Sequence, residues 1–142
     1  MHIDLSEYPI FIEQQVQWGE MDAFQHVNNT VYFKYFENIR IKFMEEAGML
    51  EVMKQKNIGP ILAKIEANFK LPVTYPDTLK IYLRVKSIGN SSFVVEHLVW
   101  SNKLNKIACI GDGVVVMIDY NTQSTIKIDD ELKGLLEKYV LS

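Results

Sequence analysis

The sequence predicts an α+β domain in which an antiparallel sheet wraps one long, enclosed helix. Three observations carry this. Residues 29–47 repeat apolar, largely aromatic side chains at helical spacing. Four strand-like runs follow after residue 60, joined by short turns that force antiparallel neighbours. A chain of 142 residues with 48% apolar content holds enough for one packed core. Residues 1–142 are therefore expected to form a single domain.

Each element has its own signal. Residues 10–18 read as a first strand, with Ile12, Val16 and Trp18 on one parity, ended by Gly19. From Asn29 to Ala47, the residues Tyr32, Phe36, Ile39, Phe43 and Ala47 form one helical stripe, which Phe33, Tyr35 and Met44 widen. Asn28 or Asn29 suits the N-cap and Gly48 the C′ position. Arg40 falls inside the apolar arc with Glu37 one turn back, so an i, i+3 ion pair over a packed Arg stem is expected. Residues 49–59 are shorter and less regular.

The strand runs then arrive together. Ile61, Ala63, Ile65, Ala67, Phe69 and Leu71 alternate with more polar neighbours, predicting one buried face. Tyr75-Pro76-Asp77-Thr78 is a turn, and Leu79, Ile81, Leu83 and Val85 make the next buried face. Residues 93–100 carry apolar residues on both faces, broken by Glu96 and His97; 106–118 is the last long run, apolar on both faces over Val114–Ile118, and Gly111-Asp112-Gly113 within it signals a bulge or a close backbone approach. A helix over 129–140 begins with Asp129 and Asp130, which suit the helix dipole. His97 and Glu66 have no evident partner and are read as structural.

Composition removes several classes of function. A formal charge of −3 argues against a general nucleic-acid binder. The single cysteine, Cys109, excludes an internal disulfide, reads as a small buried residue, and fits a cytoplasmic setting. No apolar run approaches the roughly 18–20 residues of a membrane span, and the first residues lack the pattern of a secretory signal. The three histidines and one cysteine make no metal-ligand pattern.

The stretch richest in chemistry is Gly19 to Asn29, between the first strand and the long helix. It holds Asp22, His26, Asn28 and Asn29. Helix starts present N–H groups without partners, so a carboxylate and an imidazole beside one can serve acyl chemistry. The same residues also make a turn with a well-formed cap. From residue types alone, both readings stand.

The string Asp22-Ala23-Phe24-Gln25-His26-Val27-Asn28-Asn29, followed by Tyr32 and by Phe36-Glu37-Asn38-Ile39-Arg40, resembles the acyl-CoA thioesterases of the hotdog fold. The similarity is to the 4-hydroxybenzoyl-CoA thioesterase-like branch that includes bacterial long-chain acyl-CoA thioesterases, and the element order agrees over about residues 8–140. The resemblance implies a five-stranded antiparallel sheet around a central helix, with a small C-terminal helix. It implies a homodimer or homotetramer with active sites between subunits. Asp22 matches the catalytic carboxylate, and Asn29 the helix start whose N–H groups face the thioester carbonyl. His26 and Asn28 belong to the motif; Tyr32 and Phe36 are candidates to line an acyl pocket. The Ser91-Ser92-Phe93 strand start also matches, making Ser92 a substrate-binding candidate. Two departures stand out: Glu20 where Asp is frequent, and Gly89-Asn90-Ser91 where some aryl-CoA members carry a basic run. The second favours an acyl-chain substrate over an aryl one and moves the phosphate contacts elsewhere.

The expected function is hydrolysis of acyl-CoA to free acid and coenzyme A, with Asp22 as nucleophile or general base and the helix start as oxyanion site. No cofactor is implied, since coenzyme A is part of the substrate. The alternatives are hydrolysis of acyl groups from acyl carrier protein, for which Lys64, Lys70, Lys80, Arg84 and Lys86 would supply a basic rim, and a hotdog module that binds acyl-CoA without turnover.

Overall fold

The computed structural model describes residues 3–140. A first strand β1, Ile10–Gln15, leads through a 3-10 turn at Trp18–Glu20 into α1, Asn29–Glu46, and α2, Met49–Lys56. The strands β2 (Ile58–Ile65), β3 (Asn68–Phe69), β4 (Thr78–Ile88), β5 (Ser92–Ser101) and β6 (Lys106–Asp119) follow, then α3, Asp130–Glu137. The sheet runs β1-β4-β5-β6-β2, antiparallel throughout, and the two-residue β3 adds to β6 beyond the end of β2. This is the five-strand hotdog sheet expected from the sequence, with β3 as a short addition.

The long helix forms for the reasons its sequence gives. Asn28 caps it, its side-chain oxygen accepting from the Thr30 N–H at 3.0 Å. Gly48 ends it at φ +80°, a conformation an L side chain resists. Tyr32, Tyr35, Phe36, Ile39, Phe43 and Met44 are buried against the inner sheet face. Phe43 has its ring 4.9 Å from that of Tyr139 and 6.4 Å from that of Phe93, so it joins α1, the sheet and the C-terminal segment.

Four expectations need correcting. The first strand stops at Gln15, not 18: the Glu20 carboxylate accepts from the Gln17 N–H at 2.7 Å and winds the chain into the 3-10 turn, leaving Trp18 76% exposed. The segment 49–59 is a true helix over Met49–Lys56, anchored by buried Met49 and Met53. The long alternation of 61–71 does not bury one face. Ala63 is an extra residue between the pairs Leu62–Val115 and Lys64–Val114, and this bulge breaks the parity. Because β2 is also an edge strand, Ile61 and Leu62 are both exposed.

The fourth concerns Arg40. Glu37 pairs with Lys34 at 3.3 Å, on the exposed side of the helix. Arg40 turns inward, where its Nη1 donates to His97 Nε2 at 3.1 Å. The acceptor role of Nε2 leaves the His97 proton on Nδ1, which donates to the Gly111 carbonyl oxygen at 3.0 Å. Phe36 stacks on the imidazole with 4.4 Å between ring centroids. The two glycines beside it sit in tight surroundings, Gly113 against the imidazole and Gly111 against the Glu66–Ala67 backbone. A Cβ on Gly113 would stand 3.1 Å from His97 Cε1, and one on Gly111 would collide with the Glu66 carbonyl. Burial lowers Arg40 from its ordinary value, only partly offset by Glu37. Burial also pushes His97 down to about 3; the Gly111 bond opposes the shift and the Arg40 cation adds to it.

Phe43→Ala should cost about 3–5 kcal/mol, measured by denaturant unfolding, because the cavity opens where helix, sheet and Tyr139 meet. His97 makes stability depend on pH. Above about 6.5, both native and unfolded imidazoles are neutral; below it the unfolded chain binds a proton that the native chain refuses. Between pH 6.5 and 5 this residue should remove stability at up to about 1.4 kcal/mol per pH unit, and the slope should flatten in His97→Gln.

Candidate functional site

The loop joining β1 to α1 is built by its own backbone. The Asp22 N–H donates to the His26 carbonyl at 2.8 Å, and the Gln25 N–H returns to the Asp22 carbonyl at 3.0 Å. Gln25 sits at φ +63° to close the turn. Asp22 Oδ1 accepts from the Phe24 N–H at 2.8 Å and from the His26 N–H at 3.2 Å. So the carboxylate does hold a turn, as the plainer reading had it. That task uses one oxygen; Oδ2 has no hydrogen-bond partner among the described residues.

Glu20 fixes the loop to the helix. Its carboxylate accepts from the Tyr35 hydroxyl at 2.7 Å as well as from the Gln17 N–H, and its carbonyl accepts from the Asn28 N–H at 3.0 Å. Burial and then the Glu20 bond raise the Tyr35 hydroxyl far above its ordinary value, so it stays a donor. The Val27 N–H donates to the Val73 carbonyl at 2.8 Å, tying the loop to the segment before β4. The sequence marked Glu20 only as a departure from a family pattern; its link to Tyr35 spans a loop and could not be read from spacing.

The helix start leaves the Asn29 N–H open among the described residues. Asn28 takes the Thr30 N–H with its side chain and the Val31 N–H, at 2.9 Å, with its carbonyl. The Asn29 N–H, on the first helical residue, has no acceptor among the described residues. The open donor expected of a helix start is thus the backbone of Asn29.

A cleft of about 230 Å³ brings Asp22, His26, Asn29 and Tyr32 together, closed on its far side by Phe69, Lys70 and Leu71. Tyr32 is almost wholly buried, with its ring 5.1 Å from that of Phe69, and burial pushes its hydroxyl up to about 12. On its other side Asp22 borders a second hollow of about 490 Å³ with Trp18, Gln25 and Tyr75. The His26 imidazole is exposed and has no side-chain partner among the described residues.

The other sequence candidates lie elsewhere. Asn28 spends its side chain on the cap and Thr30. Phe36 is fully buried against His97 and lines neither hollow beside Asp22. Ser92 pairs with Val116, whereas Phe69 at the cleft pairs with Cys109. Seven residues of β6 therefore separate the two levels, about 23 Å of strand. Within one chain, Ser92 does not reach the Asp22 cleft. Nor do the five basic residues form one rim. Arg84 is held by Glu96 at 2.9 Å, Lys86 by Asp112 at 2.9 Å, and Lys80 stands over the Phe11 ring, while Lys70 borders the cleft. Cys109 is buried, and burial raises its thiol to about 12, which removes it as a nucleophile. Among the described residues no cluster of His, Cys, Asp and Glu could hold a metal ion, and no helix is long and apolar enough to cross a membrane.

Comparison with known proteins places this architecture. The family described as the thioesterase-like superfamily matches residues 16–136. The chain is 25% identical over 126 residues to the long-chain acyl-CoA thioesterase FadM of Escherichia coli (strain K12), covering 89% of this chain and 96% of that protein. Among solved structures, the probable thioesterase YbaW of Escherichia coli superposes with a TM-score of 0.84 at 24% identity, covering 92% of this chain and 98% of that one. A thioesterase of Thermus thermophilus, solved with coenzyme A and zinc, superposes with a TM-score of 0.82 at 22% identity, covering 94% of this chain and 95% of that one. The hotdog assignment made from the Asp22–Arg40 string agrees with all three. The chain belongs to the thioesterase-like superfamily, and the enzyme class expected from its sequence, a thioester hydrolase of the hotdog fold, stands on that membership.

Proposed function

We propose that the chain hydrolyses acyl-CoA thioesters to the free acid and coenzyme A, in the cleft between the Asp22 loop and the start of α1. The observation that supports this reading most is the pairing of a carboxylate oxygen without a partner, Asp22 Oδ2, with an N–H without an acceptor, that of Asn29, on the walls of one cleft among the described residues. Addition to a thioester carbonyl moves negative charge onto its oxygen, and a donor fixed in advance stabilises that charge as it forms. Asp22 has two consistent roles. As a general base it takes a proton from water; the hydroxide adds to the carbonyl carbon, the C–S bond breaks, and the thiolate of coenzyme A is reprotonated. As a nucleophile it adds directly, expels the thiolate and leaves a mixed anhydride that water cleaves. His26, exposed at the same cleft, can orient water or polarise the carbonyl.

The active assembly we propose is a homodimer joined along β2. That strand pairs with β6 on one side only, and its exposed Ile61 and Leu62 lie beside a free row of backbone donors and acceptors. A second copy can cover both. It also supplies the route by which Ser92, remote from Asp22 within one chain, would meet substrate, and by which a tunnel shaped by two subunits would set chain length.

Release of free thiol from short, medium and long acyl-CoA tests the activity; no release from any of them would end this reading. Asp22→Ala should lower kcat by about 10²–10⁴-fold, and Asp22→Asn similarly. Single turnover in ¹⁸O-water separates the two roles, because only the anhydride route can leave label in the Asp22 carboxyl. Asn29→Pro removes the open N–H at a position where proline suits the first helical residue, and Asn28 before it is already extended, at φ −60° and ψ 139°. It should cost kcat about 10²–10³-fold with little change in melting temperature, while Asn29→Ala, which keeps the N–H, should stay near wild type.

The dimer is tested by light scattering during gel filtration. The wild type should run at twice the chain mass or a multiple of it, and Leu62→Lys with Ile61→Lys should shift it to a monomer and abolish turnover.

A further inference from the structure

A second groove lies on the outer face of the sheet, beside the segment that walls the Asp22 cleft. It holds about 500 Å³ and is lined by Lys70, Leu71, Trp100, Lys106, Ile107 and Ile110. Lys70 and Leu71 line both hollows, so that segment is the wall between them. The backbone explains the position. The N–H groups of Lys70 and Leu71 both donate to the Ala108 carbonyl, at 2.8 and 3.1 Å. Ala108 is itself the extra residue of a bulge, between the pairs Val99–Cys109 and Trp100–Ile107. The bulge leaves Ala108 and Cys109 in the inner core and sets Ile107 outside beside Trp100 and Ile110.

The charge of this groove differs from that of its surroundings. The chain carries a net −3, yet among the described residues no carboxylate lines the groove. The Lys70 and Lys106 ammonium groups have no partner among the described residues, whereas Arg84 and Lys86 on the same face are held by Glu96 and Asp112. Two unneutralised cations beside a partly exposed indole fit a phosphorylated purine: phosphates for the lysines, an aromatic ring for Trp100. An alkyl chain would use the apolar floor but gain nothing from the ammonium groups.

We propose that this groove binds the nucleotide portion of coenzyme A, with Lys70 and Lys106 holding phosphates and Trp100 stacking on adenine. The inference rests on the acyl-CoA reading of the Asp22 cleft. It also accounts for the absence of a cation at Gly89-Asn90-Ser91, since the phosphate contacts then lie on another part of the sheet.

Adenosine 3′,5′-bisphosphate, which carries no thioester, tests the groove independently of turnover. Calorimetric titration should show binding to the wild type that weakens about tenfold in Lys106→Glu and in Trp100→Leu, is retained in Lys106→Arg, and falls as salt is raised. In hydrolysis, the preference for an acyl-CoA over the N-acetylcysteamine thioester of the same acid should drop about tenfold in the same two variants. No binding to the wild type, or equal binding in the variants, overturns the proposal. So does an activity loss that is the same for both thioesters and grows with acyl length, which would make the groove the acyl channel. If no thioester is hydrolysed at all, the activity reading fails by itself, and the titration still decides what the groove binds.

Discussion

The Glu20 carboxylate holds the rest of the site in place. One side chain closes the 3-10 turn through Gln17 and takes the hydroxyl of Tyr35, and the same residue's carbonyl takes the N–H of the helix cap. Three separate parts of the chain are thereby fixed to one another: the end of β1, the start of α1, and the second turn of α1. The Asp22 loop is the short span left between these fixed points. Asp22 and Asn29 line one cleft because their supports are joined, two of them through hydrogen bonds to the Glu20 carboxylate and the third through its backbone carbonyl. Catalytic geometry of this kind has to be held by groups behind it as well as by the reacting groups themselves.

Much of the fold was legible in the sequence because it rests on local patterns. The α1 stripe, the Asn28 cap, the Gly48 stop and the Asp129 start of α3 all follow from residues within a few positions of one another. The early end of β1 and the α2 helix turn on local contacts that were not weighed, whereas the other failures share one cause: a partner distant in sequence. Arg40 is assigned to Glu37 by helical spacing, but a buried guanidinium takes the better-placed acceptor, His97, on β5. The alternation of Ile61 to Leu71 reads as a half-buried strand, but the Ala63 bulge and the sheet edge are set by β6. Phe36 is legible as an aromatic near the motif; that it stacks on His97 rather than lining the cleft is not. Of the candidate site, Asp22, His26, Asn29 and Tyr32 line one cleft, and Lys70, on the segment beyond β3, was legible only as a charge.

The outer face of the sheet shows how the chain treats polar groups it must half-bury. Glu96 accepts from the Tyr8 hydroxyl and from Arg84, and Lys86 bridges it to Asp112. Burial, then the Glu96 bond, holds the Tyr8 hydroxyl well above its ordinary value, so it remains a donor. Every charge in this cluster answers another, as partial burial demands. The inner core follows a different rule: Arg40 meets a neutral imidazole, and that imidazole is kept neutral by its surroundings.

The strand order has a consequence for how the protein is made. Ribosomes deliver β1 and α1 first, but β1 has no sheet neighbour until β4 is synthesised, and the Val27 N–H waits for Val73. Until then the aromatic stripe of α1, with Tyr32, Tyr35, Phe36 and Phe43, has no sheet to lie against. The nascent chain therefore carries its most apolar surface bare from the end of α1 until β4 is made, and pairings this distant in sequence close slowly. A chain truncated before β4 would expose that stripe and be a client for chaperones, not a smaller version of the enzyme.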